Sequence, residues 1–514
     1  MSVERTQLVV WLSCCLLCLT ACPKDVSGVE DESHEDAGAE EPAADGGESE
    51  PEPAAESDEP DAPKPATDPG KPKPTQEEPK PPADPSKPAD KPADKPAMGD
   101  TVSRFFLPTP EPENTKLPRV LFDAKGGLHA LYPGYAGADA YYAYCPNNCT
   151  DPQKMKVVAL HTDGTVGDAS LALTAEGAPR VLLPTYLRVY FAQCDKECTE
   201  QSSWKIGVIA EHQSERDVTG QALALDSKGR PRFVMHTYLA YLGVGQREPH
   251  TYYAQCDSGC TEAANWRIDT IQDQIFYRST LRFDAQDRAH LTTVAADLDK
   301  GARMIAYLTC AQGCTTEADW KGIGLVPAFE NDIEEIRPSI ALALTKRGGP
   351  RILALGTQKN GKRGLFYFEC DEQCDQDHWR ATLMSDHEEL GSGVDIALDA
   401  KDRTRFVFTL DDNIGLYSCD AADCTIENSP WELTKVEFAG EVPKDSIILW
   451  PNCTLDAWLL HDPSLALATD GSVRVAYQAT DISGGFRTVD PTKPACVAGK
   501  DMTLSRMAVV PAAK

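Results

Sequence analysis

Fourteen of the eighteen cysteines lie beyond residue 140, and twelve of them stand in close pairs: Cys145 and Cys149, Cys194 and Cys198, Cys256 and Cys260, Cys310 and Cys314, Cys370 and Cys374, Cys419 and Cys424. A thiol pair at this spacing can do two kinds of chemistry. As thiolates it could supply half of a zinc site, but zinc takes four ligands and no histidine stands beside any pair. Oxidised, each pair forms a short-loop disulfide. Disulfides are the expected state for a chain that leaves the cytosol. Cys453 and Cys496 stand apart, the first in a long insert and the second near the end, and are expected to be mates that fasten the insert. No metal and no cofactor is expected.

A second set of reactive side chains recurs just as regularly. His129, Arg180, Arg232, His290, Arg351, Arg405 and Arg474 occupy one position of a repeated phrase. Carboxylates stand six residues before several of them, at Asp123, Asp226, Asp284 and Asp399. Two readings follow. Either the pairs tie a turn together, or repeat symmetry arranges the cations as a collar that binds an anion, with Arg180, Arg351 and Arg474 the least paired. Motifs of hydrolases, zincins, phosphate loops and calcium loops are absent from the chain, and His461-Asp462 reads as a loop pair.

The elements that must position these groups are repeats. One phrase is VYFAQCDKECTEQSSW from Val189 to Trp204, echoed as TYYAQCDSGCTEAANW from Thr251 and more loosely elsewhere. The other is an apolar run, a polar turn and a second apolar run, as in LALDSKGRPRFVM from Leu223; it occurs seven times. Alternating apolar residues around a glycine-bearing turn predict a hairpin. The cysteine phrase supplies a third strand, and the run opening at tryptophan a fourth. Trp204, Trp266, Trp320, Trp379 and Trp431 hold one position, suited to packing strand on strand or to stacking a ligand. Seven four-stranded antiparallel units predict an all-β, seven-bladed β-propeller over residues 101–514. Met502–Val510 reads as the last blade's own fourth strand, and whether Val102–Leu107 adds a strand that closes the ring is left open.

The repeats, with Leu-Asp-x-x-Gly-x-Pro-Arg-Val and Tyr-x-x-Cys-x-x-x-Cys-Thr followed by Trp, resemble the propeller repeats of secreted bacterial proteins. That resemblance implies fold and location, and no defined activity. The amino terminus carries a second one. Arg5, an apolar run from Leu8 to Leu19 and then Leu19-Thr20-Ala21-Cys22 resemble the signal and lipobox of bacterial lipoproteins. The resemblance implies a signal peptide over 1–21, acylation of Cys22, and a lipoprotein in the bacterial cell envelope, at the outer membrane. Residues 22–100 read as a disordered linker. Between Pro23 and Asp100 stand 23 Asp and Glu against 8 Lys, about half of the formal net charge of -30. Almost nothing apolar is available there to offset the entropy of ordering. The Pro-Lys half favours extended conformations and acts as a spacer. An acidic chain lacks the basic footprint that nucleic acid needs. The expected protein is therefore a monomeric, membrane-anchored propeller that binds a protein, a cell-wall polymer or a glycan on one face. The alternative is a polysaccharide hydrolase or lyase with its site at the channel mouth.

Overall fold

The computed structural model describes residues 102–512 except for short internal stretches, the longest being 238–248, 329–339, 443–452 and 493–502. The signal, Cys22 and the linker lie outside the described residues, as does Cys496. No helix among the described residues is long and apolar enough to cross a membrane.

Seven antiparallel sheets of four or five strands follow one another along the described residues, beside one two-stranded pair. Each begins with an inner strand, here strand A: Arg119–Phe122, Ser170–Leu173, Leu223–Leu225, Ile275–Phe283, Ile340–Leu344, Leu390–Leu398 and Trp458–Leu467. Strands B, C and D follow outward. In blade 2 the register runs Leu171 to Val181, Val181 to Ala192 and Ala192 to Ile206. The chain is thus the seven-bladed β-propeller that the repeats predict.

The sequence makes these hairpins for a local reason. Asp226 accepts the backbone N–H groups of Lys228 and Arg230 through Oδ1, at 3.0 Å each. Asp123, Asp284 and Asp399 do the same in their blades, and Thr345 manages one such bond, to Gly349. The fourth turn residue takes positive φ, which glycine adopts without strain. It is Gly126, Gly177, Gly229, Gly348 or Gly471 in five blades, and Asp287 or Asp402 in the other two.

The core lies between blades, not within them. Leu131, Tyr142 and Val158 of blade 1 pack with Val181, Ala192 and Trp204 of blade 2. Trp204 meets Tyr142 edge-on at 4.9 Å, and Trp320, Trp379 and Trp431 meet Tyr253, Tyr307 and Tyr367 of the preceding blade alike. Every one of these indoles donates Nε1–H to the carbonyl of the second cysteine of its own blade, and Trp266 does so at 2.8 Å. The tryptophans are packing residues, fixed at both ends, and form no stacking row for a ligand.

Blade 7 departs from the expected order. Thr503–Val510 pairs with Val473–Asp481 and is the third strand. The fourth is Ser103–Phe106, from the start of the domain, with Ser103 opposite Val509 and Phe106 opposite Arg506. The ring is therefore closed by strands from both ends of the chain. Glu437, fully buried at the end of strand D of blade 6 (Trp431–Glu437), holds this closure. It accepts Arg506 Nε at 2.6 Å and Nη2 at 2.8 Å, and also the Tyr477 hydroxyl. Arg104 stands 3.8 Å away and donates to the Val436 carbonyl at 2.8 Å.

Candidate functional site at the channel mouth

Six disulfides join the six close cysteine pairs, each across the turn between strands C and D. Cys453 lies in a two-residue strand paired to Arg487–Thr488, while its expected mate Cys496 is outside the described residues. Among the described residues no group of three or more candidate ligands is placed to hold a metal ion.

The repeated cations sit at the same end of the disc as the disulfides, and their hydrogen bonds turn inward. Arg180, Arg232, Arg351 and Arg405 each donate Nη1 to the carbonyl of the first cysteine of their blade. Each also donates Nη2 to the aspartate that follows that cysteine: Asp195, Asp257, Asp371 and Asp420, at 2.5 to 2.9 Å. Arg232 keeps the predicted partner Asp226 as well, at 3.2 Å. His129 and His290 bridge Asp123 or Asp284 to the hydroxyl of Tyr142 or Tyr307. Burial lowers the pKa of both imidazoles, against the pull of the adjacent aspartate. Arg474 is buried and reaches the Cys149 carbonyl of blade 1 at 3.0 Å. The geometry is the cross-turn tie, extended to the disulfide turn, and these seven side chains form no free cationic collar. The extra partner was legible: four of the six cysteine phrases read Cys-Asp.

The opposite end of the disc is built differently. There the chain enters each strand A, and the turns between strands B and C lie alongside: Thr115 bridges Gly134, and Val166 bridges Thr185. Tyr135 and Tyr186 stand on two of these turns and are exposed. Lys116 donates to the Tyr135 carbonyl at 3.3 Å, with its ammonium 5.8 Å from the Tyr135 ring centre. Burial lowers its pKa, opposed by the charge of Asp168.

On the axis is a cavity of about 240 Å³ to which all seven blades contribute. Most of its lining is small or aliphatic, but five polar residues interrupt it: Arg119, Gln221, Arg282, Asp395 and Ser464. Arg119, buried, donates Nη2 to Asp168 Oδ1 at 2.7 Å. Asp168 Oδ2 accepts the Gly220 N–H at 2.6 Å. Asp395, from blade 6, accepts Gln221 of blade 3 across the axis at 3.1 Å, and the N–H groups of Ile396 and Leu465 at 2.9 and 2.8 Å. Arg282 donates to the Gln221 amide oxygen and to the Leu281 carbonyl. Its pKa is lowered by burial, which Asp395 opposes and Arg119 reinforces. Arg119 Nε and Nη1 have no hydrogen-bond partner. Leaving buried donors unmatched costs about 1–3 kcal/mol each, so each such group calls for an explanation.

Carboxylates gather behind this wall. Asp217, partly buried, is pushed up to about 7 by burial and then by Asp168, with the Val218 N–H and Arg278 opposing. His461 and Asp462 are buried within the first strand of blade 7, joined at 2.5 Å, rather than exposed on a loop. A register shift between His461 and Ser464 turns Asp462 inward at a φ of 52°. Reading the sequence alone missed this site, because each of its residues breaks the repeat. Position +1 of strand A is Leu121 or alanine in every blade but the fourth, where it is Arg282, and position −1 is charged only at Arg119 and Asp395.

No protein-family model matches the chain, and no curated protein matches its sequence. Solved structures resemble it in shape. They include the lectin BP39L from Burkholderia pseudomallei, at 10% identity over 76% of this chain and 100% of that one, with a TM-score of 0.42. The polysaccharide lyase Uly1 matches at 6% identity over 76% and 89%, TM-score 0.42. A NanB sialidase from Streptococcus pneumoniae matches at 8% identity over 80% and 70%, TM-score 0.42. Likeness at this level says nothing of what this chain binds.

Proposed function

We propose that the protein is an acyl-anchored envelope lipoprotein whose propeller is a binding module, and that its ligand sits at the channel mouth on the face opposite the disulfides. The observation that supports this reading is a buried arginine, Arg119, with hydrogen-bond donors unmatched, lining a cavity beside a second arginine. Exposed aromatics on the same face, Tyr135 and Tyr186, supply flat apolar surface of the kind that holds a sugar ring or a peptide side chain. The acyl chains on Cys22 hold the module at the membrane, where a single chain would be marginal, and the linker gives it reach.

The immobilised full-length chain is expected to retain an envelope polymer or protein that Tyr135→Ala with Tyr186→Ala releases. Retention unaffected by that double change would place the ligand elsewhere. Cys22→Ala should move the protein from the membrane to the soluble fraction, and unchanged partitioning would remove the anchor.

One observation favours an enzymatic second reading. Asp217 holds a proton to about pH 7 close to Asp168 and Arg278, as a general acid requires. Release of reducing or unsaturated ends from envelope polysaccharide, abolished in Asp217→Asn, would replace binding by hydrolysis or elimination.

A further inference from the structure

We infer that the axial cavity is a carboxylate site, taking the acid group of a uronate or of a small organic acid between Arg119 and Arg282. The inference deepens the binding reading of this face and rests on it. It comes from accounting for donors and acceptors on the axis. Behind the wall Asp462 keeps Oδ1 without a partner, but both oxygens of Asp395 and both of Asp168 are bonded. The donors are not, since Arg119 keeps Nε and Nη1 without partners while its side chain is only 4% exposed.

Charge around the two arginines is mixed: burial would lower the Arg119 pKa, but Asp168, Asp395 and Asp462 raise it. The two guanidinium groups lie close enough for Arg119 to depress the ionisation of Arg282, and Arg282 has a neutral amide, Gln221, as its side-chain partner rather than a carboxylate. A carboxylate between them would accept from Arg119, screen the repulsion and fit the planar guanidinium geometry. The volume is below the roughly 300 Å³ at which drug-sized pockets begin. It admits one small acid or the terminal residue of a polymer, not a chain passing through. The remaining lining, Leu121, Leu171, Ala343 and Ala397, would cover an apolar ring face or methyl group.

The test is calorimetric titration of the full-length chain with glucuronate, galacturonate, their neutral parent sugars and acetate. Two variants read the site. Arg119→Lys keeps a cation opposite Asp168 and removes Nε and Nη1. Arg282→Gln removes a charge that has no carboxylate partner within hydrogen-bond range, so it leaves no buried acid unpaired. Acids should bind the native chain, with affinity falling about tenfold or more in each variant, as expected for loss of a charge-assisted hydrogen bond. Uronates binding more tightly than acetate assign the site to an acidic glycan, and parity assigns it to free organic acids. Neutral sugars binding as well as the acids, no binding of any acid, or binding unchanged in both variants would overturn the inference. Should Arg119→Lys fail to fold, Arg282→Gln decides alone. A polymer retained equally by native and variant chains would leave the binding face in place while removing the carboxylate site. Uronate binding without retention of any envelope fraction would do the reverse.

Discussion

Replacing Glu437 by Gln should weaken the whole ring, because this one carboxylate neutralises the closure. Glu437 is fully buried and takes two hydrogen bonds from Arg506, whose side chain is 5% exposed. Burial alone would lower the Arg506 pKa, but the bonds to Glu437 more than offset it and leave it raised. Gln keeps the shape and loses the charge. Arg506 then remains a buried cation facing Phe106 at 4.7 Å, with a neutral acceptor. Breaking a buried pair on one side costs about 3–5 kcal/mol, a large part of the roughly 5–15 kcal/mol that holds a typical domain. The double change Glu437→Met with Arg506→Met removes both charges and should recover most of the loss. It would retain a deficit of about 1 kcal/mol for the Tyr477 hydroxyl left without its acceptor. Urea unfolding followed by tryptophan fluorescence would measure all three chains. A cost below about 1 kcal/mol for Glu437→Gln, or a double variant no more stable than Glu437→Gln, would refute the view that this pair secures the closure.

Asp217→Asn should flatten the pH dependence of stability. The folded protein holds the Asp217 proton more tightly than the unfolded chain, so its contribution is present below pH 3.8 and lost as pH rises through about 7. The full loss is at most roughly 4 kcal/mol. The variant's advantage in urea should therefore grow between pH 4 and 7 and then level off, and a constant difference would contradict the assignment. Cys256→Ser with Cys260→Ser opens a short loop, so stability should fall at the low end of about 2–3 kcal/mol, with faster proteolytic nicking in 257–265. An unchanged unfolding midpoint would show that the turn is held by Trp266 alone. Gly207→Ala should destabilise blade 2, since a Cβ there would stand 1.8 Å from the Thr261 carbonyl oxygen of blade 3. A wild-type midpoint for that variant would mean that the two blades separate freely.

What the sequence made legible is what the chain repeats. The turn aspartates and glycines, the alternating strands and the cysteine pairs recur often enough that their period outweighs any single exception, and each acts on residues close in sequence. The ring closure stayed open in the sequence because Ser103–Phe106 is four residues long, and nothing in SRFF identifies Thr503–Val510 as its partner. The axial residues were hidden for a related reason. Arg119, Gln221, Arg282 and Asp395 come from blades 1, 3, 4 and 6, and only the closing of the ring brings them to one axis. Their signal is the departure of one blade from the other six.

The strand that completes the ring is also the first strand in chain order among the described residues. A pull applied to the chain ahead of Ser103 would enter the fold there, through four residue pairs and the grip of Arg104 on blade 6. Such a load would test the seam of the ring before any other blade.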